Sequence, residues 1–151
     1  MIEDISTKGL DFIKSWEKFI PHVYKDAAGL PTIGYGHLIK PGESYTTITE
    51  PEAVALMKKD LQPMLNNIIK SIKVDINQNQ FDSLCSFCYN VGSGGFVKST
   101  LLKLINKNLL SEASNEFGKW VKAGGKTLSG LKRRREAERK MFTNGEYINN
   151  G

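Results

Sequence analysis

WEKFIPHVYKDAAGLPTIGYGH, residues 16–37, is where the chain stops reading as a helix and begins to read as a hairpin. Upstream, Ser6 can cap a helix running to about Glu17, with Leu10, Ile13 and Ile20 on one face. At ~100° per residue Glu17 projects onto that same stripe, between Leu10 and Ile13. A charged carboxylate on an apolar face costs free energy, so Glu17 needs either a partner or a job. Downstream the period changes. AAGLP (27–31) is turn chemistry between HVYKD and TIGYGHLI, which predicts a short β-hairpin. In its second strand Thr32, Gly34, Gly36 and Leu38 share one face, and Ile33, Tyr35, His37 and Ile39 the other. Glycines beside Thr32 suggest a place where a ligand approaches the backbone closely.

Two carboxylates in different settings are what glycosidic hydrolysis requires. One protonates the leaving oxygen, and the other activates water or stabilises an oxocarbenium ion. Glu17, on an apolar helical face, should favour its neutral form and suits the acid. Asp26, beside a turn and next to Lys25, should stay ionised and suits the base. Thr32 offers a hydroxyl to hold the water.

Working outward, TEPE (49–52) reads as a capping box before a long helix through AVALMKKDLQPMLNNIIKSIK, which Pro63 should kink or divide. Asn77 and Gln80 form a second capping box before FDSLCSFCYNV, the most buried helix expected. GSGG (92–95) should end it, and Ser99 or Thr100 should cap STLLKLINK. LLSEASNEFGKWV reads as one amphipathic helix closed by AGGK. Ser129 should cap GLKRRREAERKMF, which Asn144-Gly145 stops. The expected fold class is α+β and mostly helical: a small N-terminal lobe with a β-hairpin or sheet, and a larger helical lobe. The chain is expected to form a single domain over 1–151. Its hairpin lobe would span about 18–48, a linking helix about 50–74, and the helical lobe about 75–151 together with helix one.

Composition narrows the partners without choosing one. Of 151 residues 21 are basic and 16 acidic, a net charge of +5 that favours anionic partners such as wall polymers, lipid surfaces or nucleic acid. No secretion-signal pattern and no membrane-length apolar run is present, so a cytoplasmic location is expected. Cys85 and Cys88 form a CxxC. Together with Phe81, Leu84 and Val91 they recur at helical spacing and read as core, not as redox or zinc chemistry. His37 reads as a hydrogen-bonded structural group, and Trp16 and Trp120 as core. The run KRRREAERK (132–140) reads as a solvated helix face; the alternative is that an arginine near its start, Arg134 or Arg135, reaches back toward Glu17 or the cleft.

Glu17, eight residues, Asp26, five residues, Thr32, then Ile-Gly-Tyr-Gly-His resembles the phage-type lysozymes, the endolysins of glycoside hydrolase family 24. FDSLCSFCYNVGSGGFVKSTLLKLIN looks like that family's central helix, glycine turn and next helix. GKWVKAGGKTLSGLKRRREAERKMF is similar to its C-terminal segment. The likeness covers most of Gly9 to Phe142. It implies a lysozyme-like fold with the active-site cleft between the lobes. It also implies cleavage of the β-1,4 bond between N-acetylmuramic acid and N-acetylglucosamine in peptidoglycan, with inversion and without metal or organic cofactor. Glu17 would be the acid, Asp26 the partner carboxylate and Thr32 the third member of the triad. Leu38, Tyr89, Asn90 and Ser99 match substrate-binding positions of the cleft. The chain departs from the common pattern at Lys18, where glycine usually follows the glutamate, and at Leu38, where threonine is frequent.

Three functions compete at this level. A lytic muramidase would act as a monomer on peptidoglycan, held in the host cytoplasm until a holin, a membrane-pore protein, releases it to the wall. Met1–Lys8 is too short and too polar for a membrane anchor. A non-catalytic wall binder would keep the cleft without turnover, which the intact Glu17, Asp26 and Thr32 argue against. A nucleic-acid-binding protein would use the basic C-terminal helix, but no groove-reading motif is visible, so no nucleic acid is expected as partner.

Overall fold

The computed structural model describes residues 2–151; the Met1 end of the segment read as too polar for an anchor lies outside them. Helix α1 (Thr7–Glu17) begins where Ser6 Oγ accepts the Gly9 amide, and it buries Phe12 and Ile13. It ends on Lys18, whose φ of 63° is a left-handed conformation that side chains resist. Ile20, expected on the helical face, instead starts β1 (Ile20–Lys25).

The sheet holds three antiparallel strands in the order β1, β2 (Pro31–Gly34), β3 (His37–Leu38). The second strand predicted over 32–39 is therefore cut in two. Gly34 and Gly36 take φ of 73° and 82° on either side of Tyr35, which folds the chain back on itself. Thr32 and Leu38 meet as cross-strand partners, not as neighbours along one strand, and Tyr24 pairs with Thr32 from the other side. The glycines make the turn instead of lining the strand beside Thr32.

Helix α2 (Glu50–Ser71) starts at the predicted capping box of Thr49 and Glu52 and buries Ala53, Met57, Leu61, Leu65 and Ile68 along one stripe. It runs through Pro63 undivided. It packs on β2 and β3 at one end and on α3 (Gln78–Val91) further along. Helix α3, capped by Asn77 and Gln80, is the centre of the molecule, with every residue from Phe81 to Cys88 buried. Cys85 and Cys88 are free thiols in this core, and burial pushes both well above the ordinary thiol range.

After α3 the element boundaries depart from prediction in four places. Gly92 ends α3, but Ser93–Val97 immediately forms a short helix, α4, before Ser99 caps α5 (Thr100–Asn106). The single helix expected over 109–121 is α6 (Leu110–Ser114) followed by a 3-10 turn (Phe117–Lys119). There Ser114 Oγ donates back to the Ser111 carbonyl, a local bond that competes with helix propagation. AGGK is the tip of a small hairpin, β4 (Lys122–Ala123) and β5 (Lys126–Thr127), turned by Gly124-Gly125. Finally α7 (Ser129–Asn144) starts one residue early: Leu128 is its cap residue, and Ser129 makes no capping bond. The Leu128 amide donates to the Val121 carbonyl at 2.9 Å.

Helix α7 lies across α3, and the predicted solvated face is the largest departure of all. Arg134, Arg135 and Glu138 are 4%, 1% and 0% exposed.

Candidate active site

Glu17 closes α1 with its side chain 17% exposed, and its position is fixed from two directions. From α7, Arg134 Nη1 donates to Glu17 Oε2 at 2.5 Å, the arginine contact anticipated from sequence. From the hairpin, the backbone of Gly36 comes so close that a Cβ there would sit 2.9 Å from Glu17 Oε1. Glycine at 36 thus answers to Glu17 as well as to the turn. The apolar seat expected for Glu17 is only half of its environment, because the carboxylate faces a buried guanidinium.

Asp26 is held by local turn geometry. Its Oδ1 accepts the amides of Ala28 and Leu30, both at 2.9 Å. Its backbone amide and carbonyl bond Leu30 and Gly29. Oδ2 makes no hydrogen bond among the described residues and is free to take one from outside. Thr32 is 2% exposed, and its hydroxyl donates to the Leu30 carbonyl at 2.9 Å. With the proton so engaged, the Thr32 oxygen presents lone pairs and can accept from a water.

Tyr24 joins these groups and was not singled out from sequence. It is the cross-strand partner of Thr32, and burial first, then the negative charges of Glu17 and Asp26, raise its phenol above the ordinary range. One ring thus feels both carboxylates. The signal that marks it is hairpin register, since the residue opposite Thr32 shares its face.

The other predicted residues separate into three settings. Leu38, 47% exposed, and Tyr89 line one groove with Gly36, Asp60 and Met64. Tyr89 donates its hydroxyl to the Tyr35 carbonyl at 2.6 Å, so it holds the hairpin turn while its ring faces the groove. Asn90 lies with Trp16, Glu17 and Arg134 around a second opening, its Oδ1 accepting Arg135 Nη2 at 2.8 Å. Ser99 is 4% exposed; its hydroxyl donates to Phe96 and accepts the Leu102 amide as a helix cap, away from both openings.

His37 is structural, as its place in the sequence suggested. Nδ1 and Nε2 lie 2.7 and 3.1 Å from Asp60 and Glu43, tying the 40–45 loop to α2 beneath the groove. The Lys40 amide, then His37 and Tyr45, hold the Glu43 carboxyl down at about 2. Trp16 is half-buried, its indole donating to the Ile148 carbonyl at 3.2 Å, and Trp120 packs edge-on against Phe87. Among the described residues no group of three or more His, Cys, Asp or Glu is placed to hold a metal ion.

The fold is that of the lysozyme class. It belongs to the phage lysozyme family, whose model matches residues 14–138. The endolysin of Bacillus phage B103 is 43% identical over 148 residues, 97% of this chain and 56% of that protein; the chain spans just over half the length of this relative. Among solved structures, the endolysin from Escherichia coli O157:H7 phage FAHEc1 is similar with a TM-score of 0.88 and 34% identity, covering 96% of each chain. The muramidase domain of SpmX from Asticaccaulis excentricus gives 0.86 and 31%, covering 95% of this chain and 99% of that one.

Proposed function

We propose that this chain is an endolysin-type muramidase that hydrolyses the β-1,4 bond between N-acetylmuramic acid and N-acetylglucosamine of peptidoglycan. Glu17 is the general acid, protonating the glycosidic oxygen. Asp26 is the base, taking a proton from the attacking water on Oδ2. Thr32 accepts the water's second hydrogen, so the water's lone pair points toward the sugar. A water held by two acceptors attacks from the face opposite the leaving group and inverts the anomeric centre. Leu38 and the Tyr89 ring form groove walls, and Asn90 lines the opening behind the acid. The reaction needs no cofactor.

The observation that carries this reading is the contrast between the two carboxylates around Tyr24. Glu17 is enclosed by Gly36 and Arg134, whereas Asp26 keeps one oxygen open at the edge of a turn. The enzyme works as a monomer from the host cytoplasm, with the groove between the hairpin lobe and the helical lobe. No helix among the described residues is long and apolar enough to cross a membrane, and a holin gives access to the wall. Mass spectrometry of fragments from purified peptidoglycan tests the reading. Fragments ending in reducing N-acetylmuramic acid support it; anhydro ends, or no fragments at all, refute it.

A further inference from the structure

We propose that Glu138 is a positioning residue for the acid: buried beneath Arg134, it fixes that guanidinium against Glu17 and offsets its positive charge, so that Glu17 can hold a proton. This rests on the assignment of Glu17 as proton donor. A general acid must be protonated when substrate arrives, and an adjacent arginine works against that by favouring the ionised form. The seam between α3 and α7 supplies the compensation.

Glu138 is 0% exposed, and its Oε2 accepts Ser86 Oγ at 2.6 Å, Arg135 Nη2 at 3.1 Å and Arg134 Nε at 3.3 Å. Arg135 Nε also lies 2.7 Å from Glu138 Oε1, off the hydrogen-bonding direction, so that contact is ionic. Arg134 is therefore shared. Nε faces Glu138, Nη2 donates to the Ser86 carbonyl at 3.2 Å, and only Nη1 reaches Glu17. The charges facing Glu17 are Arg134 and, further off, Arg135 on α7, with the Asp26 carboxylate of the hairpin turn on the other side of Tyr24; the phenols of Tyr24 on β1 and Tyr89 on α3 also face it. Those facing Glu138 are the same two arginines, with the Cys88 thiol on α3 nearby. Two arginines and two glutamates cancel. Without the Glu138 charge, protonated Glu17 would leave both arginines buried and unopposed, a costly state.

The sign follows. Activity needs protonated Glu17, and that proton is lost as pH rises, so any added positive field brings the loss to lower pH. Initial rates of reducing-end release from purified peptidoglycan, measured against pH, give the alkaline limb for each variant. Glu138→Gln should move that limb down by about one pH unit. Arg135→Gln, which removes positive charge, should move it up. Ser86→Ala removes a hydrogen bond but no charge; it should lower the melting temperature and leave the limb in place. An unmoved limb in Glu138→Gln, or shifts of the same sign in the two charge variants, would overturn the inference. Should Glu138→Gln not fold, Glu138→Asp and Arg135→Gln decide: the limb should stay in place where the charge is kept and move up where the arginine is removed, and any other pattern overturns the inference. Glu17→Gln run alongside separates the two levels. Full activity there refutes the acid assignment itself, whereas loss there with an unmoved Glu138→Gln limb refutes the Glu138 role alone.

Discussion

Asp26 and Glu138 are both carboxylates that accept several hydrogen bonds, but they obtain them in opposite ways. Asp26 is served by amides two and four residues away, on a turn that the chain builds by itself. Glu138 draws one of its partners from Ser86, 52 residues distant, and exists as a satisfied ion only because α3 and α7 pack together. Glu17 stands between the two regimes: Gly36 of the nearby hairpin leaves no room for a side chain beside one oxygen, and Arg134 of the distant helix bonds the other. The hairpin thus positions Asp26 and Thr32 locally, while the seam positions Glu17 through long-range packing. Damage to the hairpin should reach the rate, whereas damage to the apolar face of α3 should cost stability alone.

The sharpest break in that comparison is Glu17→Gln. The amide keeps the shape and can still accept from Arg134, so melting should change by no more than a few degrees. Lysis should fall by at least about 100-fold, the usual scale of a lost general acid. Wild-type lysis in the folded variant would remove Glu17 from the mechanism. Gly36→Ala comes next. Its methyl would meet the Glu17 carboxylate at a φ of 82°, so both rate and stability should suffer. A loss of about 1–2 kcal/mol in stability and about tenfold in turnover is expected. Unchanged turnover would show that the close approach of the hairpin does not constrain the acid.

On the seam side, Cys85→Ala and Cys88→Ala shrink fully buried side chains on α3. Each should cost on the order of 1 kcal/mol without altering turnover per folded molecule. Denaturant melts alongside specific activity check this; lost turnover in a folded double variant would contradict a packing role. Lys18→Gly is the mildest test. A glycine at φ 63° relieves strain, so the protein should gain up to about 1 kcal/mol. A destabilised Lys18→Gly variant would mean that the lysine side chain offsets its own backbone cost.

The same contrast explains what could be read from sequence. Capping at Ser6, Thr49, Asn77 and Ser99, the buried face of α3 and the turn after Asp26 all depend on residues within a few positions of one another. They were legible for that reason. The break at Gly34-Tyr35-Gly36 was missed because alternation was carried through two glycines, where turn chemistry should have taken precedence. The hairpin at Gly124-Gly125 had a sequence signal of the same kind. KRRREAERK could not be assigned from local pattern, since its i,i+4 charges fit a solvated helix equally well. Only the long-range fit of Ser86 and Glu17 to Arg134 and Glu138 turns that run inward. At the candidate site, Glu17, Asp26 and Thr32 were singled out because their spacing resembles that of the phage-type lysozymes, whereas Tyr24 emerges from strand register. Ser99 illustrates the converse: matched as a cleft position, its hydroxyl is spent on capping α5.

The central claim is that Asp26 and Thr32 direct a water at the sugar while Glu17 supplies the proton. In an inverting enzyme the carboxyl groups stand roughly 6.5–9.5 Å apart to admit that water, against about 5–5.5 Å for a covalent route. The anomeric configuration of the first product reports which route is taken. Proton NMR of a soluble peptidoglycan glycan fragment, recorded before mutarotation, should show the α-anomer forming first from the β-linked substrate. An initial β-anomer, or a glycosyl-enzyme trapped on Asp26, would contradict the water-activation roles of Asp26 and Thr32.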